Sequence, residues 1–87
     1  MYEVLYKKEL AAGIWEMHIA APRVARAALP GQFVIVRADS HGERIPLTVA
    51  DYDAEAGWVS IVTQTIGVST RKICAKEVGE SLADFAG

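Results

Sequence analysis

The sequence predicts an all-β fold: a small six-stranded antiparallel Greek-key barrel with one short helix. Three observations lead there. Most apolar runs are five to ten residues long and rich in Val, Ile and aromatics. Glycine or proline turn signals separate them, and a change to helical periodicity occurs once, late in the chain. The 87 residues are 52% hydrophobic and 23% charged, with a formal net charge of -2. That is enough for one core but not two, since a domain usually needs at least ~50 residues.

Tyr2 to Leu10 (YEVLYKKEL) is the first expected strand, and Ala11-Ala12-Gly13 supplies a turn. Ile14 to Ala20 (IWEMHIA) alternates with period two, placing Trp15, Met17 and Ile19 on the inner face of a hairpin. Pro22 ends this strand. Arg23 to Leu29 reads either as one or two helical turns or as an irregular loop, and Pro30-Gly31 is a turn. Gln32 to Ala38 (QFVIVRA) is almost continuously apolar, so both its faces are expected to be covered. Arg44 to Ala50 (RIPLTVA) is a fourth strand interrupted by Pro46, which belongs at an edge, a bulge or a ligand-facing break. Asp51 to Gly57 is a connection, and Trp58 to Gln64 (WVSIVTQ) a fifth strand. Ser69 or Thr70 caps a helix running through Lys76, Gly79 closes it, and Ser81 to Phe85 starts the sixth strand.

Composition narrows the function classes. No apolar run approaches the ~18–20 residues of a membrane span, and the first residues lack a signal-peptide core. The expected location is cytoplasmic, with no membrane partner. The slight acidity argues against a nucleic-acid partner, whose phosphates favour a basic face. One cysteine, Cys74, excludes a disulfide framework and a thiolate metal site. His18 and His41 lack ligand spacing, so no metal is expected. Lys7 and Lys8 read as an exposed charged pair, and Asp51 and Asp53 as solvated loop carboxylates. No catalytic residue is assigned.

Two segments can carry binding chemistry. Gly42 to Asp51 (GERIPLTVAD) holds an Arg, a strand-breaking Pro and a Thr within five residues of one another. The guanidinium suits phosphate oxygens, and the interrupted strand leaves backbone groups and a hydroxyl available. An edge strand with a surface arginine is the competing reading. Thr65 to Arg71 (TIGVSTR) opens a helix behind a glycine and gathers unpaired amides at its positive end, the competing reading being an ordinary capped helix.

Together these segments resemble a known family. PGQFVIVRA, GERIPLTVADYD, WVSIVTQ and GVSTRKI, in that order and across essentially the whole chain, are similar to the flavin-binding barrel of the ferredoxin–NADP reductase superfamily. The likeness is greatest to the dihydroorotate dehydrogenase electron-transfer subunit and to the FAD subunit of NADH-dependent ferredoxin–NADP oxidoreductase, also known as sulfide dehydrogenase. The resemblance implies that residues 1–87 are one FAD-binding domain of a larger oxidoreductase subunit. That subunit would move electrons between NAD(P)H and an iron–sulfur partner through FAD. By position, it implies that Arg44 meets the FAD pyrophosphate and that Pro46, Leu47, Thr48 and Val49 line the flavin ring. Thr48 would lie near the redox-active nitrogen, and Gly67, Val68, Ser69 and Thr70 would offer amides to the pyrophosphate.

The string departs from the plant-type pattern of Arg, one residue, then Tyr-Ser. Leu47 stands before the hydroxyl residue, and Arg44 lies one residue further from it. The family continues with a nucleotide-binding α/β domain and a Cys-rich segment for a [2Fe-2S] cluster, both expected outside these 87 residues. The apolar ending Phe85-Ala86-Gly87 agrees with a fragment, which would be inactive alone and would hold FAD weakly. The contrasting reading is a cofactor-free β-barrel that serves as an interaction module.

Overall fold

In the computed structural model, which describes residues 2–29 and 31–87, seven strands and two helices succeed one another. They are β1 (Tyr2–Ala11), β2 (Ile14–Ala20), α1 (Pro22–Ala27), β3 (Phe33–Arg37), β4 (Ile45–Asp53), β5 (Trp58–Gln64), α2 (Val68–Cys74), β6 (Ser81–Leu82) and β7 (Asp84–Ala86). The strands form one antiparallel sheet in the order β6-β1-β2-β5-β4-β3-β7. The run β2-β5-β4-β3 is the expected Greek key: a three-strand meander whose last strand lies beside an earlier one. The all-β barrel holds, and its strand and helix counts need correction.

Seven strands replace the expected six because the last segment bends. Ala83 leaves both ladders and donates its N–H to the carbonyls of Arg37 (2.9 Å) and Ala38 (3.2 Å). On one side of this bend β6 pairs with β1, and on the other β7 pairs with β3. Both edges of the sheet are therefore taken up by residues 81–86, which nearly closes it into a barrel. Leu82 and Phe85, on either side of the bend, bury completely or almost so.

Two helices replace the expected one. Proline at the first position of α1 gives up an amide that has no helical partner there, and its fixed φ suits a helix start. Ala25 then packs into the core, with its N–H on the Ala21 carbonyl at 2.9 Å. The second helix starts at Val68 rather than behind a Ser69 or Thr70 cap. Gly67 is its N-cap, in extended conformation, and the Thr70 hydroxyl reaches back to accept the Gly67 N–H at 3.0 Å.

The hairpin of β1 and β2 turns at Ala12-Gly13, where Gly13 has a φ of 73°. A Cβ there would also sit 2.9 Å from Thr65 Oγ1, so the turn needs glycine. Met17 and Ile19 are fully buried and Trp15 half-buried, as the alternation predicts. The Val34 and Val36 side of β3 is buried, but Phe33 is 63% and Ile35 39% exposed. This corrects the expectation of two covered faces: among the described residues nothing layers over the outside of the barrel here. A second correction lengthens β4 to Asp53, so Asp51 and Asp53 belong to a strand. Asp53 still serves the following turn, accepting the Glu55 and Ala56 amides.

Lys7 is also not exposed. Its side chain is 9% accessible, lies 4.6 Å over the Trp15 ring and pairs with Glu77 at 2.8 Å. Cys74 lies nearby in the core, 4% exposed. Burial pushes its thiol pKa up, against a weaker opposing pull from Lys7. Native protein should therefore label with a thiol reagent at least an order of magnitude more slowly than protein in guanidinium. Equal rates in the two states would show that the α2 end of the core opens freely. No helix is long and apolar enough to cross a membrane among the described residues.

Candidate functional site

β4 changes partner midway. Its first half, Ile45 to Val36 through Thr48 to Phe33, pairs with β3, and Val49 to Asp53 pairs with β5. A bulge between Val49 and Asp51 accompanies the switch. From Ile45 to Thr48 the β5-facing edge therefore has no ladder, and a strand half with a free edge is where a sheet accepts Pro46.

Beside this opening is a cleft of about 400 Å³. One wall is the loop His41-Gly42-Glu43 with Ile45, and the other is Ile66 through Thr70 with Lys72. The fold thus brings together the two segments marked out by the sequence. Gly67, Val68, Ser69 and Thr70 all line the cleft. Among the described residues, nothing accepts a hydrogen bond from the amides of Val68, Ser69 or Thr70. The Thr70 hydroxyl is committed to the cap: it accepts from the Ile66 and Gly67 amides and donates to the Gly67 carbonyl. Its amide, not its hydroxyl, is free for a ligand.

The β4 residues divide by face. Pro46 and Thr48 are exposed on the outside of the barrel, across the ladder from Ile35 and Phe33. Leu47 packs against the core and Val49 is 5% exposed within it. Only the first two can offer side chains to a ligand outside the barrel; the others can contribute backbone. Arg44 does not line the cleft but adjoins it, between the lining residues Glu43 and Ile45. Its guanidinium extends to Asp84, with Nη2 3.2 Å from Oδ2.

Ile45 and Ile66, which belong to the two marked segments but were given no role there, and Lys72, which lies outside both, also line the cleft. Lys72 was legible: it follows Ser69 by three positions and so shares its helix face. Lys72 Nζ is 3.9 Å from Asp39 Oδ1. The His41 backbone N–H, donating at 2.9 Å, holds the Asp39 carboxyl below its ordinary pKa, with a smaller contribution from Lys72. The half-exposed Lys72–Asp39 contact joins the two walls only weakly. Free amides, Lys72 and a neighbouring Arg44 make an arrangement suited to binding a polyanion. Among the described residues no group of three acidic, His or Cys side chains is placed to hold a metal.

No family model matches the chain. An uncharacterised protein from the adh 3′ region of Clostridium beijerinckii is 54% identical over 87 residues, all of this chain and 29% of the relative. The dihydroorotate dehydrogenase B (NAD(+)) electron transfer subunit homolog of Thermotoga maritima is 38% identical over 98% of this chain and 30% of its own length. The corresponding subunit of Shouchella clausii is 28% identical over 87% of this chain and 30% of its own. The chain therefore spans less than a third of the curated relatives it matches. Among solved structures, that of the NADH-dependent reduced ferredoxin–NADP oxidoreductase, described in connection with flavin-based electron bifurcation, superposes with a TM-score of 0.96. It is 37% identical and covers all of this chain, which spans 32% of it. Sequence and fold together make the chain a homologue of the dihydroorotate dehydrogenase electron transfer subunits and of that oxidoreductase, with a barrel of the ferredoxin–NADP reductase type.

Proposed function

We propose that the chain is the FAD-binding barrel of a flavoprotein electron-transfer subunit. The observation that carries this reading is the meeting, at one cleft, of the Gly42–Ile45 segment with the amides of Gly67 to Thr70. The residues present suit a dinucleotide's pyrophosphate. Among the described residues three amides lack acceptors, Lys72 and Arg44 supply positive charge, and a Cβ built on Gly67 meets only Thr70 Oγ1, at 4.0 Å. Arg44 and the Gly67–Thr70 turn would hold the two phosphates. Pro46 and Thr48, with the backbone of Leu47 and Val49, would bound the flavin ring. When bound, FAD supplies the electron-carrying chemistry, and the protein orients it and tunes its potential.

In the intact cytoplasmic subunit, electrons would pass between NAD(P)H and an iron–sulfur partner, in company with a larger oxidoreductase subunit. The relatives' names support that setting. The nicotinamide site and a [2Fe-2S] cluster are assigned to the parent protein beyond residues 1–87. Titrating the purified chain with FAD and with riboflavin tests the reading. FAD should bind more tightly; binding of neither would leave a cofactor-free interaction module.

Thr48 gives a finer test. Because it is exposed, Thr48→Val leaves the core intact. Losing its hydrogen bond to the ring should cost about 0.5–1.5 kcal/mol, up to roughly tenfold in flavin affinity. The bound flavin's absorbance or potential should shift as well. An unchanged spectrum and affinity would remove Thr48 from the site.

A further inference from the structure

Asp84, on β7, touches two arginines. Its Oδ2 lies 2.6 Å from Arg37 Nε and 3.2 Å from Arg44 Nη2. The Arg37 Nε and Asp84 Oδ2 atoms are sealed from solvent and meet as an ion pair without an aligned hydrogen bond, whereas the Arg44 side chain is 60% exposed. Two guanidinium groups thus share one carboxylate. Arginine stays protonated in proteins, so the carboxylate can cancel only one of the two charges.

The unequal contacts indicate which. The Arg37 contact is the shorter, and the Arg37 side chain is 23% exposed against 60% for Arg44, so the carboxylate is drawn more strongly to Arg37. The Asp84 charge is therefore spent on Arg37. Arg44 is held by one nitrogen and keeps its positive charge. Glu43 sharpens the consequence, since it lines the cleft immediately before Arg44. Were Arg44 cancelled by Asp84, that loop would present Glu43 unopposed.

We propose that Arg37 is a charge-balancing positioning residue: it occupies Asp84 so that Arg44, anchored beside the cleft, stays available to an anionic ligand. The inference rests on the flavin reading above for the identity of that ligand. Arg37 itself touches no ligand and acts through Asp84 and Arg44.

The test is FAD and riboflavin titration of the unmodified chain, Arg37→Gln, Arg44→Ala, the Arg37→Gln/Arg44→Ala double variant and Arg37→Gln/Asp84→Asn. Arg37→Gln should weaken FAD binding by about three- to tenfold and leave riboflavin unchanged. It should cause no further loss when Arg44 is already alanine. Arg37→Gln/Asp84→Asn, which removes the stranded carboxylate as well, should recover most of the FAD affinity. Equal losses for FAD and riboflavin would mean that Arg37 only supports the fold, and overturn the proposal. So would an undiminished loss in the Arg44→Ala background, or no loss at all. If the unmodified chain binds neither flavin, the flavin reading fails and this inference with it; if it binds FAD normally and only the Arg37 pattern fails, that reading stands.

Discussion

Arg44→Ala is expected to weaken FAD binding by about ten- to a hundredfold while leaving riboflavin binding almost unchanged. A charge-assisted hydrogen bond contributes roughly 1.5–3 kcal/mol, and riboflavin has no phosphate to lose it. The variant should fold normally, because the Arg44 side chain is largely exposed and the shorter Arg37–Asp84 contact remains. Gly67→Val should act on the same ligand from the opposite wall. Its φ of -153° is open to any residue, and a Cβ has room on the protein side. A valine side chain would therefore be accommodated by the fold while standing where the phosphate must approach the amides. Calorimetric titration of both ligands with both variants reads the result. Loss of FAD and riboflavin alike would mean damage to the barrel, and no loss of either would place the site elsewhere.

Phe85→Ala is expected to be the most destabilising single substitution. Phe85 is 1% exposed in the last strand, packs beside Tyr2 with ring centroids 6.2 Å apart, and lies where the barrel closes. Truncating a buried phenylalanine usually costs about 3–5 kcal/mol. Against the roughly 5–15 kcal/mol that holds small domains together, that is a large share. Tm should fall by about 15 °C or more, measured by circular dichroism. Phe33→Ala supplies the control, because that ring is 63% exposed on β3 and its loss should be nearly neutral. Similar shifts for the two variants would show that residues 81–86 do not bind the sheet together.

Most of the barrel was legible from local chemistry. Alternation in IWEMHIA fixed the β2 faces, and the glycine turns set the strand limits to within a few residues. The misses in the sheet share one cause: long-range partners that a local pattern does not contain. Nothing in SLADFAG says that Ala83 will turn its amide to Arg37 and Ala38 and split one strand into two. An apolar run such as QFVIVRA reads alike with one or two covered faces, and the fold leaves Phe33 and Ile35 exposed among the described residues. Lys7 looks like half of a surface pair until Glu77, seventy residues away, is found beside it.

The candidate site divides in the same way. The glycine and hydroxyl spacing of GVSTR announced the amide turn, and the proline marked the opening in β4. That both line or adjoin one cleft depends on the path of β4 from β3 to β5, which spacing alone does not show. The engagement of Arg44 by Asp84, forty residues later, is likewise a product of the fold.

The bent last segment also has a consequence for synthesis. β1 and β3 are both waiting edges until residues 81–86 exist, because one segment completes both ladders. A ribosome adding roughly 5–20 residues per second would expose those unpaired edges for several seconds before closure. Unpaired strand edges invite pairing between chains, so the nascent barrel is most open to misassembly in that interval. Closure is thus a late event, and the five strand residues of β6 and β7 act as a clasp whose delay sets the time during which a chaperone would be of use.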